Sequence, residues 1–190
     1  MNSRFAISLV CAAIVLSAAT ARAESAERIV SVGGAVTEIL YALGKGKNIV
    51  AVDTTSSFPV ATKAKAKLGY LRALAVEPII AMNPTMVIAD GDAGPPTVLQ
   101  QLREAGIRLV LAPNEPTVQN IYAKIATVAA AVDREPEGTA MIAELKSELR
   151  GLSKVIARLA EKPRVLFLLS IGRGSPLAGG NEATADTIIG

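Results

Sequence analysis

A phenol and a guanidinium stand two residues apart in Leu68-Gly69-Tyr70-Leu71-Arg72, inside a stretch with no regular periodicity. Arg72 is a permanent cation, able to stabilise a phenolate at Tyr70 or an anionic ligand. The competing reading is a tyrosine that packs over the core as an amphipathic cap. The other two tyrosines fall on apolar helical faces, Tyr41 among Ile39, Leu40 and Leu43, and Tyr122 beside Ile121 and Ile125, and are expected in the core. Three carboxylates, Asp53, Asp90 and Asp92, follow short apolar runs, yet no nucleophile and base are arranged to work together. Gly33-Gly34 opens a helix and offers its amides to a phosphate. It lacks the G-x-G-x-x-G spacing and the P-loop lysine, and a plain tight turn is the simpler reading. Histidine is absent, which removes imidazole metal sites and both Ser-His-Asp and Cys-His catalysis.

The 190 residues are 51% hydrophobic, 19% charged and 3% aromatic, a composition of one or two globular domains. Met1 to Ala23 has a basic start at Arg4, an apolar run from Phe5 to Ala19 and a terminal Ala21-Arg22-Ala23. This is the pattern of a cleavable secretory signal peptide, and its run is short for a membrane span, which needs about 20 residues. Val10 stands before Cys11 where lipidation calls for a small residue. Cleavage after Ala23 leaves no cysteine, hence neither disulfide nor thiol nucleophile. It also removes Arg4 and Arg22, so 20 basic residues become 18 against 17 acidic ones. Near-neutrality and few aromatics argue against nucleic acid as a partner. The expected location is the periplasm.

Strands are expected at Arg28–Val32, Asn48–Val52, Thr85–Ala89 and Ile107–Ala112, alternating with helices at Ala35–Leu43, Val76–Met82, Pro96–Ala105 and Val118–Val132. Phe58 to Leu71 reads as irregular, with a solvated lysine run at Lys63, Lys65 and Lys67. The alternation implies an α/β fold with a parallel sheet covered on both faces, whose ligands bind beyond the carboxyl ends of its strands. Glu135 to Glu161 then forms one helical stretch with a stripe of Ile142, Leu145, Leu149, Leu152, Ile156 and Leu159. At about 1.5 Å per residue it is roughly 40 Å long, which suits a strut between two lobes. A strand at Arg164–Ser170, a glycine-rich loop at Ile171–Gly180 and a helix start at Asn181–Ile189 follow. They cannot bury their apolar faces alone, so an incomplete second α/β lobe is expected. The expected divisions are a signal peptide over 1–23, an N-terminal lobe over 24–133, an interlobe helix over 134–162 and the start of a C-terminal lobe over 163–190.

The segments RIVSVGGAVTEILYALGKGKNIVAVDTTSSFP and LGYLRALAVEPIIAMNPTMVIADGDAGPP, followed by the long helix, resemble the periplasmic hemin-binding proteins of bacterial heme ABC transporters, in the class with two α/β lobes joined by a rigid helix. The resemblance covers Arg28 to Gly190. It implies a transport protein and not an enzyme, with heme as its cargo and Tyr70 as the heme iron ligand through phenolate oxygen, supported by Arg72. Ferric iron is a hard cation, and a phenol, ordinarily titrating near pH 10, must lose its proton to bind it. Glu77 matches the acid that docks on the permease, which works with an ATPase, and an outer-membrane heme receptor stands upstream. Asp90, Gly91, Asp92, Ala93, Gly94 and Pro95 are expected as a pocket loop that admits a flat macrocycle. Phe58 stands where many relatives have tyrosine, so no second phenolate comes from there. A ferric siderophore or cobalamin is the nearest alternative cargo, and an exported α/β enzyme the alternative of another class.

Overall fold

The computed structural model describes residues 27–159, 161, 164–170, 176–180 and 185–186. The expected signal peptide lies outside the described residues, as does most of the expected helix at Asn181–Ile189.

Five parallel strands, β1 (Ile29–Val32), β2 (Ile49–Val52), β3 (Ala66–Lys67), β4 (Met86–Asp90) and β5 (Arg108–Ala112), form one sheet in the order β3-β2-β1-β4-β5. Helices α1 (Gly34–Ala42), α2 (Val76–Ala81), α3 (Pro96–Glu104) and α4 (Val118–Ala131) connect them or follow them. Residues alternate between the two faces of a strand, and both faces here are apolar. Ile29, Met86 and Ile88 pack with Val36 and Leu40 of α1 and Val128 of α4. Val30, Val32, Val87 and Ala89 pack with Ile79 of α2 and Val98 and Leu102 of α3. Burial on both sides is why these runs are nearly continuous in apolar residues instead of alternating with polar ones. The order reverses between β1 and β4, which pair from Ile29↔Met86 to Val32↔Ala89. A crevice therefore opens beyond their carboxyl ends, between the loops that start at Gly33 and Asp90.

The stretch expected to be irregular contains a 3-10 helix over Val60–Ala64 and the edge strand β3, which pairs with β2 through Ala51↔Ala66 and Val52↔Lys67. Thr62 and Leu68 are buried there. Helix α5 spans Glu135–Ile156, and i to i+3 hydrogen bonds from Arg158 to Val155 and from Leu159 to Ile156 close it before Glu161. Its stripe is half-buried at Ile142, Leu145 and Leu149, and exposed at Leu152, Ile156 and Leu159. Tyr122, expected in the core, is only half-buried, with Lys146 Nζ 4.9 Å from its ring centroid. Leu168–Ser170 (β6) pairs antiparallel with Leu177–Ala178 (β7), placing a strand where a glycine-rich loop was expected. No helix among the described residues is long and apolar enough to cross a membrane.

Candidate functional site

Tyr70 and Arg72 occupy the first and third positions of a turn closed by Ala73 N–H donating to Tyr70 C=O at 2.8 Å. Between them Leu71 turns toward the core, so the two polar side chains share the outer side. Neighbouring loops hold this turn through three backbone hydrogen bonds. Thr54 N–H donates to Gly69 C=O at 2.8 Å, Gly94 N–H to Leu71 C=O at 2.9 Å, and Leu74 N–H to Gly94 C=O at 2.9 Å. The turn thus bridges the loops after β2 and β4 at the rim of the crevice.

The Tyr70 ring is not sunk in the interior; it is 44% exposed. Its phenol oxygen accepts from Arg72 Nη1 at 3.0 Å, while Arg72 Nη2 donates to the carboxylate of Asp92. The hydrogen bond to Asp92 and then that to Tyr70 raise the guanidinium pKa further above its already high value. Hydrogen bonds from Arg72 first and Asn114 second hold the Asp92 carboxyl below the usual carboxylate range. Asn114 Oδ1 accepts in turn from Lys124 Nζ at 3.2 Å, and Lys124 Nζ donates to Asp90 Oδ2 at 2.5 Å in a nearly buried ion pair. A Cβ on Gly91 would stand 3.1 Å from that of Asn114, and this close approach brings the β5–α4 loop beside Asp92.

Of the expected pocket loop, Gly91, Asp92 and Pro95 are exposed, whereas Asp90, Ala93 and Gly94 are buried. Ala93 belongs to the core beneath α3 instead of lining an opening, Pro95 caps α3, and Gly94 acts through its backbone. Glu77 is exposed in the first turn of α2, makes no hydrogen bond or ion pair with this network among the described residues, and stands beside exposed Ile80. Phe58 is also exposed. Asn114 and Lys124 were missed by the sequence reading, since neither falls in a motif.

Asp53 has a different role. Its Oδ1 accepts from Gly33 N–H at 2.9 Å and Ser56 Oγ–H at 2.6 Å, and its Oδ2 from Thr55 N–H at 2.9 Å and Thr55 Oγ1–H at 2.5 Å. Each hydroxyl has one proton to give. Since Ser56 gives its proton to Asp53, the 2.7 Å contacts Ser31–Thr37 and Thr37–Ser56 run as Ser31 to Thr37 to Ser56 to Asp53. Burial pushes the Asp53 carboxyl up, but the hydrogen bonds from Ser56, Thr55 and Gly33 outweigh it and leave the pKa lowered. The carboxylate thereby takes the Gly33 amide that a phosphate at this turn would need. Gly33 adopts φ 101°, and a Cβ there would lie 2.8 Å from that of Asp90. The Gly33-Gly34 pair is thus a tight turn.

A cavity of about 330 Å³ opens between the starts of α1 and α4, lined by Ala35, Ile39, Asn114, Ile121 and Lys124 among others. It lies on the α1/α4 side of the sheet, whereas Leu68 and Leu71, which flank Tyr70, pack into the other cluster. The described residues contain no group of three or more His, Cys, Asp or Glu that could hold a bare metal ion.

Residues 29–188 match the sequence profile of the family described as periplasmic binding protein. The chain belongs to that family. This periplasmic binding protein is similar to the periplasmic heme-binding protein RhuT from Roseiflexus sp. RS-1 in apo form, at a TM-score of 0.83 and 36% identity over 87% of this chain and 63% of that one. The periplasmic heme-binding protein HutB of Vibrio cholerae gives a TM-score of 0.77 and 36% identity, again over 87% and 63%. The vitamin B12-binding protein of Vibrio parahaemolyticus is 28% identical over 157 residues, 83% of this chain and 56% of its own length. This periplasmic binding protein spans about half the length of the curated relatives it matches.

Proposed function

We propose that this periplasmic binding protein captures heme and delivers it to the permease and ATPase of an ABC transporter. The observation that carries the reading is the phenol oxygen of Tyr70, exposed at the crevice rim and already accepting from Arg72. That bond strengthens when the oxygen becomes anionic. Binding ferric heme forms an iron–oxygen bond and releases the phenol proton to solvent. The charges of Arg72 and Asp92 offset one another nearby, so the added anion meets no uncompensated negative field. The likeness to solved heme-binding proteins supports the same cargo.

In this reading the chain is exported by cleavage after Ala23. Residues 24–133 form the N-terminal lobe, 134–162 the interlobe helix, and 163–190 the start of a second lobe that supplies the opposite wall. An outer-membrane heme receptor acts upstream, Glu77 meets the permease, and the described carboxylates serve structure rather than turnover. Cobalamin is the second reading, favoured by the vitamin B12-binding relatives. Visible-absorption titrations with hemin and with cyanocobalamin, on the parent and on Tyr70→Phe, test both. Heme capture predicts a ferric phenolate spectrum with hemin that vanishes in Tyr70→Phe. A hemin spectrum unaffected by the substitution, or saturable binding of cyanocobalamin alone, defeats it.

A further inference from the structure

We propose that Asp92 is a positioning residue for ligand capture: its carboxylate holds the Arg72 guanidinium against the phenol oxygen of Tyr70. The proposal rests on the reading of Tyr70 as the iron ligand and adds a third residue that acts through Arg72. Arg72 is a long side chain, more than half exposed, and such chains keep several rotamers unless something fixes them. Here the planar fork is held at both arms, Nη1 on Tyr70 and Nη2 on Asp92.

Asp92 is itself anchored independently of the ligand. Gly94, two residues on, is joined through both its N–H and its C=O to the Tyr70 turn. Asp92 N–H donates to Asp90 Oδ1 at 3.3 Å, and Asp90 is in turn fixed by Lys124. A line of partners therefore runs from a nearly buried ion pair outward to the phenol. It starts on β4 and α4 and ends in the turn, so the donor's direction is set before any ligand arrives. With both arms engaged, Arg72 is directed at the ligating oxygen and not at a carboxylate of the cargo. Exposed ion pairs add little to stability, so Asp92 can be substituted without loss of fold.

The experiment compares the parent with Asp92→Ala, Asp92→Asn, Arg72→Ala and the Asp92→Ala/Arg72→Ala double variant. Nitrogen-15 arginine spectra of the ligand-free protein, assigned by the signal lost in Arg72→Ala, report whether the guanidinium is restrained. Hemin titrations give affinity and the phenolate band, and melting temperature checks the fold. Asp92→Ala is expected to merge the Arg72 Nη signals into one averaged resonance and weaken hemin binding roughly tenfold, the scale of one hydrogen bond to a charged group. Asp92→Asn keeps an acceptor and should restore both. The double variant should bind no worse than Arg72→Ala, because Asp92 acts through Arg72. Restrained Arg72 signals in Asp92→Ala, or a double variant in which the two losses add, overturn the proposal. A titration indifferent to Tyr70→Phe removes the heme reading, and with it the capture role of Asp92. The ligand-free arginine spectrum separates that failure from a failure of Asp92 to hold Arg72.

Discussion

Replacing Asp53 should damage the protein more than its position in a loop suggests, and the cost follows from which oxygen each donor uses. Asp53→Asn keeps an oxygen for Gly33 N–H and Ser56 Oγ–H, both of which go to Oδ1. It presents an NH2 to the two Thr55 donors. Thr55 is exposed and recovers partners from water, so the expected loss is about 2 kcal/mol, one to two charge-assisted hydrogen bonds. Asp53→Ala also strands the buried Gly33 amide and Ser56 hydroxyl, for about 4 kcal/mol on the same scale. Urea unfolding at pH 7 should show the Asn variant's midpoint lowered by about 1 M, given slopes of about 1–3 kcal/mol per molar. The native carboxyl pKa is lowered, so its contribution is complete above about pH 4, where the unfolded aspartate is ionised. It disappears as pH falls through the native value. The gap between parent and variant must therefore narrow in acid and never in base. An Asn variant within about 0.5 kcal/mol of the parent at pH 7, or a gap that stays constant down to pH 2, would refute the hydroxyl relay as a stabilising unit.

Lys124→Met leaves Asp90 nearly buried without its cation. It should cost about 3 kcal/mol in urea unfolding, with most of it recovered by adding Asp90→Asn; equal stability of the single variant and parent would contradict this. Gly138→Ala should destabilise despite a gain of about 1 kcal/mol in helix propensity. Its Cβ would lie 2.5 Å from that of Ala129, and overpacking costs about 1–3 kcal/mol, so a raised melting temperature counts against the α4–α5 contact. Glu77→Arg should abolish ligand-stimulated ATPase activity with a reconstituted transporter while hemin affinity stays within twofold, and retained stimulation removes Glu77 from docking.

The helices and four longer strands were legible because apolar spacing and the stops at Gly44 and Gly106, both at positive φ, are local signals. β3 was not, because a two-residue strand has no periodicity and owes its existence to the edge of β2. The end of α5 was placed too late because Leu159 continues the stripe after the helical hydrogen bonds have ceased. The contact between Tyr70 and Arg72 was legible from their adjacency. Asp53 was weighed only as an enzyme carboxylate, although Asp53-Thr54-Thr55-Ser56 has the form of an Asx turn, with hydroxyls two and three residues on. The Lys124–Asp90 pair spans 34 residues and the Arg72–Asp92 pair 20, and a single sequence holds no sign of partners brought together only by tertiary packing.

The turn carrying Tyr70 is sewn to its neighbours by main-chain atoms, which persist whatever side chains evolution installs there. Replacing the phenol or the guanidinium should leave the outline of this wall intact. The same rim can thus be retuned for a different ligand by changing two or three side chains, with no loop to refold and little ordering entropy lost on capture.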